Sequence, residues 1–175
     1  NYKYLVNDES TLRTWLMSHP ASVQTIEHLL AALRGSGVTN CLIEVQGPEL
    51  PIFDGSARDW LFLLQCAGLK TQQAYTNVIE VIRPVYVSDL SGAWAQLSPH
   101  NRVVFQYDME YSHPLISDIS VEIELTEESF QKEIAGARTF GFLKDLTMLR
   151  AADLAQGANL SNTIVFDDNK CLNPG

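Results

Sequence analysis

The chain has 175 residues, 46% hydrophobic and 19% charged, and its 12 basic against 21 acidic side chains leave a formal net charge of −9. This composition excludes disordered and collagen-like chains, and at this length folding buries roughly 70% of the surface an unfolded chain exposes. No apolar run reaches the roughly 20 residues of a membrane span, and no Lys/Arg cluster supplies a nucleic-acid footprint, so a soluble chain with no nucleic-acid partner is expected.

Taken in chain order, NYKYLVNDES mixes polar and β-prone residues and has neither the basic region nor the apolar region of a signal peptide. It also carries no initiator Met, so the sequence is expected to start inside a longer one. Thr25 is an N-cap type, Ile26, Leu29, Leu30 and Leu33 recur at helical spacing, and Gly35 is a stop; together they predict the first helix. Residues 40–47 alternate as a strand. DGSARDWLFLLQCAG predicts a second helix with Ser56 as cap, Asp59 completing a capping box and Gly68 closing it. Residues 71–77 read as a linker.

Beyond the linker the period changes to two, and 78–82, 86–88, 93–97, 103–111 and 119–125 are predicted strands. A helix from a Thr126 cap, a short strand RTFGF, a helix DLTMLRAADLAQ and a final strand NTIVFD follow. Strand runs interleaved with a few helices predict an α+β fold. Cys41, Cys66 and Cys171 are odd in number and irregularly spaced, which fits reduced thiols in a cytoplasmic protein and not a disulfide framework or zinc ribbon.

On the first helix, Glu27 and His28 fall in the first turn and off the apolar stripe, where the helix N-terminus favours a carboxylate. They read either as an acid/base or metal-ligand pair, or as a surface Glu supporting the dipole beside a solvated His. His19, His100 and His113 share no short ligand spacing and read as structural or surface residues. Asp54-Gly55 reads as turn chemistry ahead of a cap. There is no GxGxxG, P-loop or GxSxG signature.

Three blocks carry a family resemblance. TIEHLLAALRGSGVTNCLIEVQGPELPIFDGSARDW (25–60), YSHPLI (111–116) and ARTFGFLKDLTMLRAADLAQGANLSNTIVFDDNKCLNPG (137–175) closely resemble the zinc-dependent UDP-3-O-acyl-N-acetylglucosamine deacetylases of lipid A biosynthesis, in order and over nearly the whole chain. The resemblance implies two similar two-layer α/β sandwich domains, each a sheet layered with helices. Residues 1–72 would be the C-terminal part of the first, incomplete domain, and 73–175 the second, without its zinc-ligand helix. It implies zinc-assisted hydrolysis of the acetamide of UDP-3-O-acyl-N-acetylglucosamine by a cytoplasmic enzyme, a monomer when complete. His28 matches a zinc ligand, Glu27 the general base and Thr139 the hydroxyl that bonds the reacting group. Phe140 and Phe142 match aromatic residues of the substrate site. Leu143, Leu146 and the 154–165 segment, with Asn159, match the acyl passage.

The sequence departs from the family pattern in places. The family's G-x-G-L-H-[ST]-G turn, its His-Lys-x-x-x-Asp zinc-ligand helix and a later catalytic His are absent, so this chain alone is expected to bind zinc weakly and to be inactive. Gly157-Ala158-Asn159 stands where the family has GGS, and Asp153 stands for a Gly after the preceding helix, where Asp can take a left-handed cap. The alternative is a non-catalytic relative that keeps the fold as a nucleotide-sugar or acyl binding or scaffold protein; joint retention of Glu27, His28 and Thr139 favours the enzyme.

Overall fold

The computed structural model describes residues 14–18 and 21–174. β1 (Trp15–Ser18) and β2 (Ala21–Gln24) form an antiparallel pair, followed by α1 (Glu27–Gly35) and α2 (Arg58–Ala67). β3 (Val85–Ser88) pairs with β4 (Trp94–Leu97), and β5 (Val104–Glu110) with β6 (Asp118–Glu124), both antiparallel. α3 (Glu127–Ser129) widens into a π-helical stretch, Phe130–Ile134. β7 (Phe140–Phe142), a 3₁₀ turn (Leu143–Asp145), α4 (Leu146–Ala151) and β8 (Ile164–Phe166) complete the order, with β7 and β8 parallel. Mixed helices and small sheets agree with the α+β expectation. The described strands form two-stranded sheets only.

Alternation builds the clearest element. In the β5–β6 register, Phe105, Tyr107 and Met109 oppose Ile123, Val121 and Ile119, while Asp108, Glu110, Asp118, Glu122 and Glu124 occupy the other face. Thr126 caps α3 as predicted: its hydroxyl accepts the Ser129 N–H at 3.0 Å, and Ser129 Oγ accepts the Thr126 N–H at 2.9 Å. The predicted single helix beyond it changes pitch, because Ala135 N–H bonds Phe130 O at 2.7 Å while Ala135 O accepts Ala57 N–H at 3.1 Å. The predicted helix over 145–156 ends at Ala151, where Asp153 takes φ +57°.

Other expectations are corrected. Residues 40–47 and 78–82 alternate or run apolar but form no strand; Leu42 is 87% and Ile79 82% exposed. A strand needs a partner ladder, and neither segment finds one among the described residues. Thr25 is not the cap of α1; Ile26 holds that position without a side-chain bond. The α2 capping box does not form either: Ala57 is the cap residue, and Ser56 Oγ accepts the Arg58 N–H at 3.1 Å. His19 lies outside the described residues.

Two apolar clusters hold the helices. One gathers Ala32, Ala57, Leu61, Phe130 and Ala135; the other gathers Ile26, Leu29, Leu33 and Leu50. Trp60 and Leu64 pack against both, so α2 bridges the clusters. Leu30, expected on the buried stripe, is exposed, because Ala32 and Gly35 carry the second contact face of α1 instead. Gly35 allows that face to approach closely: a Cβ there would lie 2.2 Å from the Phe130 ring.

Candidate active site

The head of α1 is made by a strained turn. Thr25 has φ +57°, rare for a β-branched residue, and its hydroxyl donates to Glu49 Oε1 at 2.5 Å. Backbone bonds from Gln24 N–H to Pro48 O (2.9 Å) and from Leu50 N–H to Gln24 O (3.1 Å) stitch the same turn to residues 48–50. Glu27 and His28 are consequently the first two residues of the helix, half-buried beside the stripe of Ile26, Leu29 and Leu33. Glu27 Oε2 accepts the Thr14 N–H at 3.1 Å. A carboxylate in the first turn also meets the positive end of the helix dipole.

Residues 52–57 form the second part. Phe53 is again left-handed, φ +51°, and Gly55 follows at φ +86°. Asp54 Oδ1 accepts both the Ser56 N–H (3.0 Å) and the Ser56 hydroxyl (2.7 Å), the turn chemistry read from the sequence. Burial pushes the Asp54 carboxyl up, but the two Ser56 bonds and the charges of Arg138 and Arg58 outweigh it and hold the group below its ordinary range.

Thr139 sits against this loop. Its N–H donates to Gly55 O at 2.8 Å, and its carbonyl accepts the Ile164 N–H at 2.9 Å. Arg138 Nε donates to Asp54 O at 2.6 Å, and Arg138 Nη2 to Ser161 O at 2.6 Å. Neither Arg138 nor the loop contact was singled out in the sequence; the only signal was the position of Arg138 inside the ARTFGF block.

Aromatic rings from distant segments meet next to Thr139. Tyr111 packs on Phe140 (centroids 5.5 Å) and Phe142 (5.7 Å), and His113 on Phe142 (5.6 Å) and Phe166 (5.2 Å). His113 is structural, as read: buried, its Nε2 donates to Asp167 O at 2.7 Å while Nδ1 accepts the Leu115 N–H at 3.2 Å. A cavity of about 130 Å³ opens here, lined by Tyr111 and Phe142 and by the charged Lys144, Asp167 and Asp168. The N–H groups of Asn169 and Lys170 hold the Asp167 carboxyl below its ordinary range. An aromatic wall beside a cation and carboxylates can bind a flat, polar ring.

The remaining predicted residues are spread around this centre. Leu143 is exposed in the 3₁₀ turn and Leu146 half-buried at the start of α4. Asn159 is exposed, with its amide engaged by its own turn: Nδ2 donates to Gly157 O (3.1 Å) and Oδ1 accepts the Ser161 N–H (2.8 Å). Phe140 and Phe142 lie on β7 with Thr139 immediately before it, while Glu27 and His28 stand on α1, tied to them through residues 48–56. Among the described residues no three His, Cys, Asp or Glu side chains converge as a metal site. A catalytic zinc takes three protein ligands, so His28 alone does not make one. Among the same residues no helix is long and apolar enough to cross a membrane.

Comparison with known proteins bears on all of this. The family model described as UDP-3-O-acyl N-acetylglycosamine deacetylase matches residues 2–175. A protein of Syntrophus aciditrophicus named UDP-3-O-acyl-N-acetylglucosamine deacetylase is 41% identical over 165 residues, covering 94% of this chain and 52% of its own length. Proteins of the same name from Shewanella sp. strain W3-18-1 and Neisseria meningitidis serogroup C are 43% and 39% identical, over 95% and 98% of this chain and 55% and 56% of theirs. The chain spans about half the length of these relatives.

Proposed function

The chain belongs to the UDP-3-O-acyl N-acetylglycosamine deacetylase family, and from that premise we propose that the full-length protein hydrolyses the N-acetyl group of UDP-3-O-acyl-N-acetylglucosamine. Acetate leaves and the sugar keeps a free amine, a step of lipid A biosynthesis carried out by a cytoplasmic, monomeric enzyme. In this reading Glu27 is the general base that takes a proton from the attacking water and returns it to the leaving nitrogen. Thr139 donates its hydroxyl to the oxygen that becomes negative as the amide carbon turns tetrahedral, a contact typically contributing about 3 kcal/mol. Phe140 and Phe142 form the substrate wall, and Leu143, Leu146 and residues 154–165, including Asn159, border the acyl chain. Zn²⁺ is the proposed cofactor, with His28 as one ligand and the others supplied from outside the described residues. The two-domain division at residues 72–73, with each domain a sheet layered with helices, belongs to the same proposal.

The observation that supports this reading best is the turn at Thr25. A left-handed Thr costs conformational energy, and such strain gathers at functional sites. Here it delivers Glu27 and His28 as adjacent, half-exposed side chains at the positive end of α1.

Activity and metal content measured on the same samples of the full-length protein test it. Glu27→Gln should lose about 10²- to 10⁴-fold in kcat with metal retained, since a base acts in the proton transfer. His28→Ala should lose metal. Unchanged metal in His28→Ala together with wild-type turnover in Glu27→Gln would defeat the assignment. Wild-type protein that binds the nucleotide sugar without turning it over would establish the non-catalytic alternative.

A further inference from the structure

We infer that Arg138 is a positioning residue, whose guanidinium clamps the Asp54–Ser56 loop to the Asn159–Asn162 turn and thereby fixes Thr139 between them. The inference rests on the reading of Thr139 as the hydroxyl donor. Both donated bonds of Arg138 go to backbone carbonyls, Asp54 O and Ser161 O, each at 2.6 Å. The Asp54 carboxylate is engaged instead by Ser56, whose N–H and hydroxyl both donate to Oδ1. A guanidinium bound to two carbonyls on opposite segments acts as a rigid fork that sets their separation.

Thr139, the next residue, is bonded to neighbours of the same two carbonyls. Its N–H is held by Gly55 on the loop side and its carbonyl by Ile164, two residues beyond the turn. The loop approaches so closely that a Cβ on Gly55 would stand 2.0 Å from Asn162 O and 3.1 Å from Thr139 Cγ2. The Thr139 methyl therefore faces the loop, and the hydroxyl is the branch left for a substrate. The same loop connects back through Leu50 and Glu49 to the head of α1. Arg138 thus closes a chain of contacts running from Glu27–His28 to Thr139, without itself touching the reacting atoms.

The test is a double-mutant cycle in the full-length enzyme with Arg138→Met, Thr139→Val and the pair. Each single change should lower kcat about 100-fold, the scale of an ångström of misplacement, with KM nearly unchanged. The pair should be no slower than Thr139→Val alone, because a mispositioned hydroxyl cannot be lost twice. Hydrogen exchange supplies the second readout: the Thr139 amide should lose protection in Arg138→Met while amides of α1 and α2 keep theirs. If Arg138→Met fails to fold, Arg138→Lys, which reaches one carbonyl instead of two, carries the cycle with a smaller loss in kcat. Multiplicative losses in the pair, or wild-type kcat in the Arg138 variants beside a slow Thr139→Val, overturn the inference alone. Wild-type kcat in Thr139→Val overturns the hydroxyl-donor reading and the inference with it.

Discussion

Replacing Gly55 by Ala adds one methyl group at the point where the two halves of the chain touch. Two costs follow. The residue sits at φ +86°, and moving an L side chain into the left-handed region costs about 1–2 kcal/mol. The new Cβ would also stand 2.0 Å from Asn162 O and 3.0 Å from Asn162 C. Ordinary contact needs more than an ångström of extra room, and the atoms in the way are backbone, so the turn and β8 must shift together. Overpacking of this kind costs typically 1–3 kcal/mol, giving about 2–5 kcal/mol in all. Gly92 isolates the second cost. It has φ +91° and nothing within 4 Å of its ideal Cβ, so Gly92→Ala pays for the backbone alone, about 1–2 kcal/mol. Urea denaturation of both variants, with the m-value as a check on the unfolding transition, reads the difference. Equal midpoints for Gly55→Ala and Gly92→Ala would refute the close approach of the loop to Asn162.

Two further outcomes follow from the same packing and charge. Gly35→Ala in α1 would ordinarily stabilise a helix by up to about 1 kcal/mol, but its Cβ would fall 2.2 Å from the Phe130 ring; a lower melting temperature is expected, and a higher one would show that the ring yields freely. The Asp54 carboxyl is held below its ordinary value of 3.8, so it favours the fold above that pH and its contribution fades as pH falls through the lower folded value. Between about pH 5 and pH 2, Asp54→Asn should therefore lose less stability than wild type on acidification; parallel stability curves from denaturant titrations would count against the carboxylate's role.

What the sequence made legible was local. The Ile26, Leu29 and Leu33 positions of α1, the glycine that closes α2, the Thr126 cap and the alternation of β5–β6 depend on neighbours within a few residues. The left-handed Thr25 does not, because its hydroxyl is held by Glu49, 24 positions away. The strand expected over 40–47 did not form for the converse reason: the alternation was present, but the described residues supply no ladder for it. In the site, periodicity could place Glu27 and His28 off the apolar stripe and no further, and the family resemblance supplied their roles and that of Thr139. Tyr111, Phe142 and Phe166 form one aromatic cluster across 56 positions of chain, which no local pattern encodes.

The positive-φ residues suggest how a site on loops can still be held firmly. Thr25 precedes the Glu27–His28 pair, and Phe53 precedes the Asp54–Gly55 contact with Thr139. Each left-handed residue costs about 1–2 kcal/mol, comparable to the net worth of one hydrogen bond to a charged group. The Thr25–Glu49 bond is of that kind, and Phe53 packs edge-on at 4.9 Å to Trp60, which with Leu64 packs against both apolar clusters. The strain is therefore offset only while the loops stay docked to each other and to the helices. Undocking would release it, so partly docked loops gain nothing in strain until the contacts are lost altogether. Loops held in this way would keep α1 and the segment before β7 in one arrangement, as the proposed use of a Glu27 base and a Thr139 hydroxyl on separate segments requires.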